Sequence, residues 1–456
     1  MIQFKGRGVI QNREALLSFG DQGLRRDLLD ILEAGIQAGD PGQGTRRMVR
    51  CAGDELTVGE CRYPLDEIEN IYVVGAGKGS FPIAEALEEI LGPRIAAGVV
   101  VVKRGEKRRL KRIEIHEAGH PIPDEASLTG ARKILELADR AGEKDLVFAL
   151  ITGGSSALVT RPMGDITLTD MQVLNERLLK SGAVIQEINA VRKHVCEMKG
   201  GRLVAHIQPA QAITLTLDTA QEGMPWPDMC LPDPSTFQEA IQVLERYDLW
   251  DEVPSSIQKF LREGKNHPEW ETIKRLEGMK AQMVSVGDPV TMCLAAVKKI
   301  RALKYNPVLL STKLEGEARE AGICLAGIAR EIIRYGRPFQ RPCGLVSGGE
   351  TTVTVKGESG KGGPNQEFVL ALASKLKDVG AFACAAVDSD GTDGPTDIAG
   401  GIVDHRTIAE AEGTFPQIGD SLKLHNSSEA LEKLHGIILT GHTGTNLQHL
   451  RVILLP

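Results

Sequence analysis

Short turns in which glycine stands beside Ser, Thr, Lys or Asp recur along this chain, and turns of that kind are where a backbone can grip phosphate. They are Gly75-Ala-Gly-Lys-Gly-Ser80, Thr152-Gly-Gly-Ser-Ser-Ala157, Ser347-Gly-Gly-Glu-Thr351, Gly357-Glu-Ser-Gly-Lys-Gly-Gly363, Asp390-Gly-Thr-Asp-Gly-Pro-Thr-Asp397 and Thr440-Gly-His-Thr-Gly-Thr-Asn446. Main-chain N–H groups at helix N-termini, together with the helix dipole, attract anions, and glycine lets the ligand come close. Each turn read alone could be a plain connection. Most of them follow apolar runs, which is where doubly wound sheets bind their ligands. Candidate nucleotide-binding residues are Gly75, Gly77, Lys78, Gly153, Gly154, Ser155, Gly348, Gly349 and Glu350.

Lys78 lies inside the first turn, where an ammonium can meet a transferring phosphoryl group as a point charge. The pattern there is G-x-G-x-x-S, without the third glycine of a dinucleotide fingerprint. The next apolar run ends in Lys103-Arg104, with no acid for a ribose hydroxyl, and no Walker A sequence occurs. His116-Glu-Ala-Gly-His120 matches H-E-x-x-H in letters, but Gly119, Pro121 and Pro123 argue against the helix that would aim both histidines at one metal, so the segment reads as a loop.

Asn189, Arg192 and Lys193 share one helix face, and Lys199 follows. They form either a basic patch for the carboxylate or phosphate of a small acid or a solvated surface. Asp390, Asp393 and Asp397 cluster in a loop of small residues, as an Asp-rich turn or as ligands for Mg²⁺, which often takes one or two carboxylates plus substrate phosphates. Asp390 and Asp393 are the candidate metal ligands. Asp218 ends the apolar run Ala212–Leu217, where it could accept the proton of a substrate hydroxyl or cap a turn. Lys78, Asp218 and Asp390 are thus the candidate catalytic residues.

The elements that must carry these groups are legible as alternating apolar runs and amphipathic stretches. Strands are expected at Ile71–Val74, Gly98–Val102, Asp145–Ile151 and Ala212–Leu217, and helices at Phe81–Leu91, Ala126–Ala138 and, broken near Ser181-Gly182, Leu168–Met198. Arg13–Ala38 reads as one or two opening helices, and Gln221–Pro234 as a loop. Charged, weakly patterned Glu263–Gln282 reads as a linker. A second block is expected to open with a strand at Met283–Val286, to include strands at Thr351–Val355 and Phe382–Val387, and to close with Ile437–Thr440. This alternation predicts an α/β fold of two α/β domains, 1–265 with a Rossmann-like, mostly parallel sheet and 280–456 with a smaller one, and a cleft between them.

Composition agrees. The chain has 456 residues, 42% hydrophobic and 25% charged, with 50 glycines, well above the usual share. A net charge of −7 and 4% aromatics argue against a nucleic-acid binder. Eight cysteines without a C-x-x-C pair read as reduced thiols of a cytoplasmic protein. No apolar run is long enough for a membrane span, and the first residues lack the apolar core of a signal peptide.

The sequence resembles the glycerate 2-kinase family, whose carboxyl-terminal half is called the MOFRL domain. The motifs that carry the resemblance are VVGAGKGS (73–80), EAGHPIPDEAS (117–127), TGGSSALVTRP (152–162), KGGRL (199–203), VSGGETTVTVKG (346–357), DGTDGPTDIAGGIVD (390–404) and TGHTGTN (440–446). The resemblance implies transfer of the γ-phosphoryl of ATP to the 2-hydroxyl of D-glycerate with Mg²⁺. It implies that Lys78 meets the phosphoryl group, Asp218 the hydroxyl, and Asp390 the metal–phosphate end. Asn365 and Gln366 join the nucleotide site, and Asn189, Arg192, Lys193 and Lys199 the substrate site. The expected partners are the hydroxy-acid and the nucleotide, with a homodimer left open.

The family's GGRNQE motif reads Gly363-Pro364-Asn365-Gln366-Glu367 here, so an arginine is replaced by proline; Lys361 or Arg202 could supply its charge. Two alternatives therefore stand beside the kinase. One is a catalytically impaired paralogue that binds an anion or nucleotide. The other is an NAD-linked hydroxypyruvate reductase, against which the incomplete fingerprint argues.

Overall fold

The computed structural model describes residues 8–106, 108–218, 228–355, 357–410 and 415–456. The chain forms two compact units, Pro41–Val286 and the residues up to Asp40 together with Gly287–Pro456.

The Pro41–Val286 unit is built on a six-stranded sheet in the spatial order Ile113–Ala118, Ile95–Lys103, Ile71–Ala76, Leu146–Ile151, Gln211–Leu217, Ala281–Gly287. The first five strands pair in parallel. Ile71–Ala76 and Leu146–Ile151 are buried along their whole length, as expected for parallel strands covered on both faces. Helices Ser80–Leu91 and Glu125–Arg140 follow their strands directly. Helices Leu168–Lys180 and Ile185–His194 are separated near the expected break, where Gly182 takes φ +77°. The antiparallel meander Val49–Ala52, Glu55–Val58 and Cys61–Pro64 was not anticipated, because its strands are only four residues long.

Two expectations change here. The strand expected to open the second block, now Ala281–Gly287, completes the sheet of the first unit. The expected linker Glu263–Gln282 is also held in that unit. The Ile273 N–H donates to the Gly200 carbonyl at 2.9 Å, and the Asp233 N–H donates to the Ile273 carbonyl at 2.8 Å. The glycines explain it: a Cβ on Gly200 would lie 2.6 Å from Thr272 Cγ2, and Gly200 and Gly201 take φ +65° and +80°. Of the expected loop Gln221–Pro234, residues 221–227 lie outside the described residues.

The second unit holds a mixed six-stranded sheet, ordered Asn306–Ser311, Cys343–Ser347, His449–Leu455, Ala383–Asp388, Gly400–Asp404, Ile437–Ile438. Its first pair is parallel and the others are antiparallel. The fully buried His449–Leu455 lies at its centre. Thr351–Val355 is a strand only over Thr351–Thr352, paired with Gly316–Glu317. The last strand expected from the sequence, at Ile437–Thr440, is a two-residue edge.

Residues up to Asp40 belong to this unit rather than to the first domain. Helix Gln22–Ala38 buries Leu28, Leu29, Ile31 and Leu32, and sinks Arg25 into a bond from its Nε to Asp404 Oδ2 of 2.6 Å. Gly35 lets the helix approach closely, since a Cβ there would stand 2.5 Å from Leu450 Cδ2. Among the described residues no helix is long and apolar enough to cross a membrane.

Candidate active site

At the carboxyl edge of the parallel sheet, two expected turns are locked together. The Lys78 N–H donates to the Gly153 carbonyl at 2.8 Å, and the Gly79 N–H to Thr152 Oγ1 at 3.0 Å. The approach needs Gly77: at φ +141°, a Cβ there would sit 2.0 Å from Thr152 Oγ1. Gly154 takes φ +87°, and the position of its missing Cβ lies 3.1 Å from His120 Nε2 and 3.3 Å from Lys78 Cγ. The structure thus brings Gly75, Gly77, Lys78, Gly153, Gly154 and Ser155 into one place and adds His120. The H-E-x-x-H letters are split between strand Ile113–Ala118 and the loop after it, as the glycine and prolines require. Asp218 stands exposed just past Gln211–Leu217, at the same edge of the sheet.

The basic group divides. Lys193 is buried in an ion pair of 3.2 Å with Asp233, and Lys199 donates to the Ser156 carbonyl at 3.0 Å. Both support the site rather than face it, because burial leaves each ammonium with a protein partner. Arg202 is likewise spent on the carbonyls of Lys193, Cys196 and Trp270, so it does not supply the charge of the missing arginine. Arg192 is different. Its Nε is buried without a partner, and burial lowers its pKa against the opposing effect of the Asp228 carboxylate. Asn189 lies one turn before Arg192 on helix Ile185–His194, half-buried.

In the second unit, residues from four segments meet at one end of the sheet. Ser347 pairs with Arg451 and Asp388 with His449 across the strands. Arg451 is buried and donates to Thr351 Oγ1 at 2.7 Å, to His449 Nδ1 at 2.6 Å, and to the Gly348 and Gly349 carbonyls at 3.4 Å. With Nδ1 accepting, His449 turns its Nε2 toward Asp388 Oδ2, 3.6 Å away. Burial and the neighbouring Arg451 charge hold this imidazole well below its ordinary pKa, hence neutral. Arg451 therefore staples the Gly348-Gly349 turn, which Gly349 enters at φ +97° with no room for a Cβ beside the Leu314 N–H. Glu350 is exposed beside it.

Asp390 and Asp393 part company. Asp393 is fully buried and accepts from the main-chain and side-chain nitrogens of both Asn365 and Gln366 at 3.0–3.1 Å. It anchors the start of helix Pro364–Leu376. Burial pushes its carboxyl up to about 6, which leaves it ionised at neutral pH for its four donors. The side-chain nitrogens of Asn365 and Gln366 are consumed by the same anchor. Pro364 opens the helix at the position where a missing N–H costs nothing.

Asp390 is half-buried and takes the Thr392 N–H and Oγ1 on one oxygen. Its own N–H donates to Asp388 Oδ1 at 3.0 Å. Burial, then the Asp390 charge, raises the Asp388 carboxyl well above the ordinary range, so the pair favours added positive charge. No group of three or more His, Cys, Asp or Glu that could hold a metal occurs among the described residues.

His449, Arg451 and Asp228 were missed by the sequence analysis. The signal for the first two was two basic residues inside the apolar run HLRVILL, which a buried strand accepts only with built-in partners.

Comparison with known proteins supplies the family. Residues 27–262 match "Domain of unknown function (DUF4147)" and residues 343–449 match "MOFRL family". The glycerate 2-kinase of Pyrococcus horikoshii is 39% identical over 94% of this chain and 98% of its own. The D-glycerate 2-kinase of Thermotoga maritima is 34% identical over 96% and 100%. A crystal structure of a P. horikoshii protein superposes with a TM-score of 0.80 at 39% identity, covering 94% of this chain and 98% of that one. The crystal structure of T. maritima glycerate kinase gives 0.82 at 34%, covering 95% and 100%.

Proposed function

This chain belongs to the glycerate 2-kinase family, and from that premise we propose that it transfers the γ-phosphoryl group of ATP to the 2-hydroxyl of D-glycerate. The observation that carries the reading is the match to the P. horikoshii glycerate 2-kinase at 39% identity along nearly the whole of both chains. Bound Mg·ATP supplies the transferable group and the charge that offsets it. Lys78, its amide fixed on Gly153 and its stem against Gly154, neutralises the phosphoryl oxygens. Asp218 accepts the proton that leaves the attacking hydroxyl. Asp390, with Asp388 behind it, serves the metal–phosphate end, and Arg451 holds the Gly348-Gly349 turn in shape. The reductase alternative has less support, because the first turn lacks the third glycine and strand Ile95–Lys103 ends on a cation. The eight free cysteines support a reducing, cytoplasmic setting for the reaction.

The test is ADP release by the purified protein with Mg·ATP, with and without D-glycerate. Release that depends on D-glycerate is expected; background release at every glycerate concentration would refute the proposal.

A further inference from the structure

Among the described residues of the Pro41–Val286 unit, four buried side-chain atoms have no hydrogen-bond partner: Ser155 Oγ, Thr160 Oγ1, Arg192 Nε and Asp228 Oδ1. Buried polar atoms are normally satisfied, so orphans gathered in one place mark a ligand or water position. Three of the four are linked. Ser156 Oγ donates to Asp228 Oδ2 at 3.3 Å, next in the chain to Ser155, and the Asp228 charge acts on Arg192. The surroundings are rigid. Lys199 Nζ holds the Ser156 carbonyl at 3.0 Å, and the Gly201 N–H holds the Asp228 carbonyl at 2.9 Å. Ser155 is 0% exposed and Asp228 3%.

The charges set the sign of the ligand. Lys193 and His194 have carboxylates beside them, Asp233 and Glu271. The hydrogen bonds of Lys199 and Arg202 go only to carbonyls. Arg202 also feels the carboxylates of Asp233, Glu271 and Glu197, so Arg192 and Lys199 are the cations set against Asp228, and that buried excess of positive charge favours an anion. The orphan atoms set its shape: a guanidinium N–H and a hydroxyl can donate, and a carboxylate oxygen can only accept. A carboxylate that carries a hydroxyl close by satisfies both.

We propose that Ser155, Arg192 and Asp228 form the hydroxy-acid pocket, with Arg192 Nε and Ser155 Oγ donating to the substrate carboxylate and Asp228 Oδ1 accepting from its 3-hydroxyl. The assignment rests on the kinase reading for the identity of the acid, and it moves Ser155 from the nucleotide to the acid. Asp218 keeps the reacting 2-hydroxyl, which leaves the spectator hydroxyl for Asp228.

The experiment is calorimetric binding of D-glycerate and of D-lactate, which lacks the 3-hydroxyl, to the full chain without nucleotide. Ser155→Ala breaks no hydrogen bond within the protein, so its melting temperature is expected to equal that of the wild type while affinity for both acids falls about tenfold. Asp228→Ala is expected to reduce the preference for D-glycerate over D-lactate about tenfold, with Asp228→Asn recovering part of it. Unchanged affinity in Ser155→Ala, unchanged preference in both Asp228 variants, or no binding of D-glycerate to the wild type would overturn the pocket. A wild type that binds D-glycerate with this pattern yet releases no ADP would refute the kinase and leave the pocket standing.

Discussion

Glu271 faces three donors at once: His194 Nε2 at 3.0 Å, Lys274 Nζ at 2.9 Å and the Phe237 N–H at 3.0 Å. Against the cost of its burial, these hold its carboxyl down to about 2. The folded-state pKa is depressed, so the stabilisation is complete above the ordinary carboxylate range and is lost as pH falls through about 2. Glu271→Gln is expected to destabilise the protein by about 1–2 kcal/mol at pH 7, discounted for partial exposure. Denaturant melts should show that gap closing between pH 4.5 and 2; a gap independent of pH would contradict it. At this scale the sequence showed which residue types do chemistry but not which way they point. Asn189, Arg192 and Lys193 share a helix face by spacing, yet only Arg192 is left with an unpartnered buried nitrogen, because Asp233, forty residues on, takes Lys193. Likewise Asp390 and Asp393 looked alike, until helix Pro364–Leu376 claimed Asp393.

Helix Gln22–Ala38 adds a buried ion pair to its apolar face. Arg25 meets Asp404 with both side chains 0% exposed, and its Nη1 also donates to the Leu16 and His435 carbonyls. Removing one partner strands the other charge away from water, which costs about 3–5 kcal/mol. Arg25→Met should lower stability by that amount in chemical denaturation; a loss under 1 kcal/mol would show that the helix is held by its apolar face alone. Strands such as Leu146–Ile151 were legible because an uninterrupted apolar run has few other uses. Strand His449–Leu455 was overlooked, although it is the centre of its sheet, because its polar first residues blur into the Thr440–Asn446 turn. The expected linker failed for a related reason: segment 263–282 is charged on its surface, and what fixes it is main-chain bonding of Ile273 to Gly200 and Asp233, beside two glycines that leave room for it, which composition does not reveal.

For the whole molecule, two α/β bodies were readable from alternating elements, and the family from the order of its glycine-rich motifs. The assignment of residues up to Asp40 to the Gly287–Pro456 body was not, because nearness in sequence says nothing about which core a helix will complete. The reaction belongs to the chain as a whole and is best read from its product. Phosphorus NMR of the protein incubated with Mg·ATP and D-glycerate distinguishes the two phosphoglycerates by the carbon that bears phosphate. The account predicts a new resonance of 2-phosphoglycerate growing in step with ADP. Phosphate on the 3-hydroxyl, or no phosphoglycerate while the protein remains folded, would contradict it.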